Sequence, residues 1–192
     1  MPLLIDSGSR LEPINGFQNF KTRIELKLNL LRNKRLDFCP NRADYLNWIP
    51  FELCLKIGET ESYSYPAEFG AQFSLEELKN LISGTEKLFL VIEEKERTNE
   101  DYFKKKRKFE FFTMETYFGL NFKDAHDGLM VVGVQIVMGS LPNSNEGGFE
   151  RGFRYTVFVS EVKSFISELK EQLNHLIGNN ECTCNGQYGC EC

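Results

Sequence analysis

The sequence predicts an α+β fold: an antiparallel, curved β-sheet covered by two helices, at about residues 74–83 and 160–177. Three observations lead there. Apolar and polar residues alternate through residues 23–31 and again through 48–57, the period of a strand with one face in the core and the other in water. Over residues 74–83 and 160–177 the apolar spacing lengthens to three and four, the period of a helix lying on such a sheet. Residues 109–120 and 129–138 are crowded with aromatic and β-branched side chains, which suit paired central strands.

Taken in order, residues 1–19 mix Gly8, Pro13 and Gly16 with polar residues and read as an extended arm. In the first strand Ile24, Leu26, Leu28 and Leu30 face one way and Glu25, Lys27 and Asn29 the other. A loop carrying Cys39 and Pro40 leads to the strand at 48–57, where residues 49, 51, 53, 55 and 57 are apolar. Gly58 can adopt positive φ and supplies the turn, so residues 63–69 return as a partner strand. Pro66 lacks an N–H, which places that strand at an edge. Ser74 and Glu77 have the spacing of a capping box, and Leu75, Leu78, Leu81 and Ile82 form the stripe of the helix that it opens. Gly84 reads as the stop of that helix.

A short strand is expected at 87–92, followed by a charged loop at 93–108 whose acidic first half and basic second half attract each other. The strands at 109–120 and 129–138 are joined through residues 121–128, where Asp127-Gly128 is a strong turn signal. Residues 139–152 hold Pro142, Asn143, Gly147 and Gly148 and read as a flexible loop. A last strand at 153–159 enters the second helix. Ser160 is its expected N-cap, and Val162, Phe165, Ile166, Leu169, Leu173, Leu176 and Ile177 are its buried side.

At 192 residues with no internal repeat and no low-complexity linker, the chain reads as one domain over residues 20–178. Seventeen phenylalanines against one tryptophan predict a core built on Phe. The net charge of −5 argues against nonspecific nucleic-acid binding, because phosphates need Lys or Arg partners. The N-terminus has no basic segment leading into an apolar run, and the longest apolar stretch, 129–138, is half a membrane span. The expectation is therefore a cytoplasmic protein with no membrane association and with reduced thiols.

Chemistry is thinly marked. His126 stands between Asp124 and Asp127, where a carboxylate beside an imidazole could orient a general base for a hydrolase-like enzyme; the competing reading is an exposed hairpin loop. His175 falls near the C-terminus of the second helix, a mildly favourable place for a cation. Neither histidine has the company of a catalytic triad, and with two histidines far apart such a site has few ways to form. The tail at 179–192 is distinct, because Cys182, Cys184, Cys190 and Cys192 form two Cys-x-Cys pairs with two glycines between them. Four thiolates fit one soft ion, zinc in a tetrahedron at about 2.3 Å or copper(I). A reduced thiol tail without metal, and disulfides formed during handling, are the other two readings. Cys39 and Cys54 are placed in loop and strand rather than among those ligands.

The strand entry Ala43-Asp44-Tyr45-Leu46-Asn47-Trp48 with its hairpin, the segment Phe73-Ser74-Leu75-Glu76-Glu77-Leu78-Lys79-Asn80-Leu81-Ile82, the middle strands and the strand-plus-helix at 153–176 resemble bacterial immunity proteins of the WapI family over about residues 20–177. That resemblance implies a non-catalytic binding protein, not an enzyme, whose partner is a toxin domain that it binds and occludes. Opposed potentials speed encounter, so an acidic chain of this kind suits a basic nuclease toxin. The contact surface is expected on the charged and aromatic loops at 93–103 or 143–154.

Overall fold

The structure, a computed structural model, describes residues 2–5, 23–98, 107–115, 117–125, 127–141 and 150–178. Strand alternation sets its first layer. β1 (Leu3–Ile5), β2 (Ile24–Leu30), β3 (Trp48–Ile57) and β4 (Glu61–Tyr65) lie in that order, and β5 (Gln72–Ser74) adds a fifth strand by pairing with the start of β3. Every pairing is antiparallel, and β1 shows that the N-terminal arm begins as a strand. Leu26, Leu28, Phe51, Leu53, Leu55, Tyr63 and Tyr65 turn to the core, as the alternation requires. Gly58 has φ of 62°, the conformation expected of the β3–β4 turn.

A second, four-stranded antiparallel sheet follows, in the order β6 (Lys108–Phe112), β7 (Phe118–Asp124), β8 (Leu129–Val137) and β9 (Glu150–Phe158). The fold is α+β, antiparallel and covered by two helices as the sequence predicts, with its strands divided between two sheets. Residues 109–120 form a hairpin rather than a strand, because Phe112 pairs antiparallel with Gly119. Asp127 and Gly128 both have positive φ and make the β7–β8 turn as the sequence indicates. β9 begins within the stretch expected to be loop, with Gly152 a strand residue opposite Gln135.

The largest departure is α1, which runs from Leu75 to Thr98 instead of ending near residue 83. Gly84 does not stop it. A Cβ there would come within 2.2 Å of the Phe109 ring, so this glycine serves the approach of β6 to the helix. Beyond it Leu88, Phe89 and Ile92 continue the buried stripe that was expected to be a strand. Glu93 and Glu94 belong to the helix and not to a loop. α2 (Val159–Ile177) buries the predicted residues Val162, Phe165, Ile166, Leu169, Leu173 and Leu176. It starts one residue before Ser160, and Glu161 rather than Ser160 takes the leading N–H, that of Phe158, at 2.9 Å.

The two helices lie against each other, tied on their outer sides by Lys163–Glu93 and Lys170–Glu86, both 2.6 Å. Their inner sides join the buried faces of both sheets in one core. Aromatic rings form its centre: Phe51 stacks on Phe73 at 4.2 Å, and Phe118 meets both edge-on at 5.8 and 5.9 Å. These rings come from β3, β5 and β7, so the sheets are welded where they meet. No helix of the described residues is long and apolar enough to cross a membrane.

Candidate binding surface

The residues that the sequence singles out for chemistry are mostly not brought together. His126 and the four tail cysteines, Cys182, Cys184, Cys190 and Cys192, lie outside the described residues. Asp124, one of the two carboxylates that flank His126 in sequence, is the buried last residue of β7, with its Oδ2 3.2 Å from Arg107 Nη1. Charge pairing at the sheet edge engages that oxygen. His175 is exposed in the last turn of α2, as expected. Cys39 is buried and disulfide-bonded where a reduced thiol was expected. Cys54 is a free thiol on the outer face of β3, in an open hollow of about 260 Å³ that it shares with Lys27, Asn29, Glu52 and Ser64.

Over their described residues, the two segments favoured for contact are helix and strand. Glu93 is a helix residue bound to Lys163, and residues 99–103 are outside the description. Arg151 and Arg154 are on β9. Arg151 reaches across to the first sheet, 2.8 Å from Glu61 and hydrogen-bonded to the Tyr63 hydroxyl. Tyr63 is held above its usual 10.0 by burial first and by the Glu61 hydrogen bond next.

A surface that the sequence reading missed lies at the β6–β7 turn. Thr113 is buried and its Oγ1 accepts from the Tyr117 N–H at 2.8 Å, closing the turn from within. Glu77, buried in the first turn of α1, ties the turn down from below. Its Oε2 accepts the Ser74 N–H at 2.6 Å, completing the capping box with Glu77 N–H to Ser74 Oγ at 3.2 Å. Its Oε1 accepts the Met114 N–H at 2.5 Å. One carboxylate therefore caps the helix and pins the hairpin.

The other side of the turn is fixed by Tyr65. Its hydroxyl donates to the Tyr117 carbonyl at 2.6 Å and lies 2.7 Å from Ser140 Oγ. Burial raises the pKa of Tyr65 above 10.0, opposed by the Ser140 hydrogen bond. Tyr117 is raised too, by burial first and then by the charge of nearby Glu115. On this support Met114 is 65% and Phe112 58% exposed, with the Phe112 ring lying over Gly119. Phe69 meets Tyr117 edge to face at 6.1 Å. Reading residues 109–120 as one strand concealed this, because it left Met114 as an ordinary strand position.

A model of the immunity protein WapI-like family matches residues 18–176. No curated protein matches the chain. Among solved structures, that of the plant transcriptional regulator PBF-2 is similar at 10% identity over 82% of this chain and 78% of that one. Its TM-score is 0.38, a superposition too loose to inform fold or function.

Proposed function

The chain belongs to the immunity protein WapI-like family, and from that premise we propose that it neutralises a toxin by binding and occluding the toxin domain, without catalysis. The observation that carries this reading is the family match, which spans nearly all of both sheets and both helices. The net charge of −5 supports a basic partner, since opposed potentials accelerate encounter. Occlusion of this kind acts in the cytoplasm, where a delivered toxin meets its target.

Stoichiometry is the test. The neighbouring gene is examined for a toxin domain, and the activity of that domain, once purified, is titrated with the protein. Occlusion requires inhibition to be complete near one equivalent and to reverse when the complex is dissociated. If a small fraction of an equivalent inactivates the toxin permanently, the protein is an enzyme and the proposal fails. If excess protein neither binds nor inhibits, the immunity reading itself is wrong.

A further inference from the structure

Exposed apolar side chains that stand together on a fixed turn mark a contact surface. The cluster at the β6–β7 turn has three properties that describe its counterpart. First, it is apolar: Phe112 and Met114 are more than half exposed, and the exposed Phe69 packs edge to face on the partly buried Tyr117. Second, it is held in place before any partner arrives: Glu77 fixes Met114, Thr113 closes the turn, and Tyr65 holds the Tyr117 carbonyl. A surface already ordered loses little conformational entropy on binding.

Third, its border is acidic. Glu115 follows Met114, Glu76 adjoins Glu77 in the first turn of α1, and Glu68 adjoins Phe69; among the described residues none of the three is in an ion pair. Two cations stand near this border, and Arg35 shares the Glu68 end of it. Arg35 donates to the Glu68 carbonyl at 3.1 Å and lies against Gly70, and Lys79 is 2.6 Å from Asp44.

We propose that this surface, Phe69, Phe112, Met114 and Tyr117 bordered by Glu68, Glu76 and Glu115, docks the toxin domain, and that its counterpart is an apolar depression rimmed by lysine or arginine. The assignment rests on the immunity reading above. Met114 enters the depression as the central anchor, and the three carboxylates steer the approach and pair at the rim.

Binding of the toxin domain identified by the titration above is measured by surface plasmon resonance. Met114→Asp weakens affinity by at least about 100-fold, since a buried anchor becomes an uncompensated charge. Glu115→Lys slows association about tenfold at low salt and leaves dissociation nearly unchanged, the signature of a rim charge. Leu90→Ser, on an equally exposed apolar side chain of α1, stays within about twofold of the parent. Melting temperatures confirm folding, and the Met114 backbone rather than its side chain holds the turn. If the parent binds toxin and Met114→Asp binds as tightly, this assignment falls while the immunity reading stands. If the parent binds no toxin, both fall. A self-associated chain that Met114→Asp converts to monomer with toxin affinity intact would show that a second copy covers the surface, and would overturn the assignment.

Discussion

Replacing Glu77 tests how the two sheets are joined. In Glu77→Ala the N–H groups of Ser74 and Met114 lose their acceptor at once. The lost cap at the start of α1 costs about 1 kcal/mol. The Ser74 N–H is buried, and leaving it without a partner adds about 1–2 kcal/mol, with the partly exposed Met114 N–H contributing less. The expected loss is about 2–3 kcal/mol, read as a lower urea midpoint with an unchanged slope. Glu77→Gln separates the two roles. A carboxamide presents one acceptor oxygen and an NH₂, so it serves one N–H and turns a donor toward the other. About half of the loss is expected to remain, and hydrogen exchange shows which end has been released. A Glu77→Ala protein within about 0.5 kcal/mol of the parent, the scatter of an ordinary surface substitution, would refute this account.

Two further outcomes follow from the packing. Gly84→Ala would stabilise an ordinary exposed helix by about 1 kcal/mol, yet here it lowers stability by about 1–2 kcal/mol, because the new Cβ meets the Phe109 ring at 2.2 Å. Phe109→Ala in the same chain should restore the helix-forming benefit, as a double-mutant cycle in urea will show. Tyr63, Tyr65 and Tyr117 all have pKa values raised above 10.0 in the fold, chiefly by burial. A raised folded pKa means that the stability tied to the neutral phenol is complete below about pH 10 and is lost as pH climbs from there through the folded values. Thermal melts should therefore fall in step with tyrosinate absorbance in that window. A flat melting temperature while every tyrosine ionises together near pH 10 would contradict the packing.

The family was legible because much of its pattern is local. The alternation in β2 and β3, the Ser74–Glu77 box, Gly58, Asp127-Gly128 and the stripe of α2 each depend on residues within a few positions of one another, and each took the expected form. Glycine and aromatic residues were read less well, because their meaning depends on what stands opposite. Gly84 carries the same local signal whether it ends a helix or admits a ring, and only the arrival of Phe109 decides between them. Residues 109–120 are as strand-forming in one piece as in two. Their reversal depends on Thr113 closing the turn and on Glu77, 37 residues before Met114, holding it.

Local chemistry in the sequence thus determined which segments become strands or helices and which side of each is apolar, since period and capping act over a few residues. Tertiary structure decided that there are two sheets rather than one, that α1 continues past Gly84, and that Met114 stands exposed on a fixed turn. Each of those outcomes is set by contacts between residues far apart in the chain, whose distances no local pattern contains.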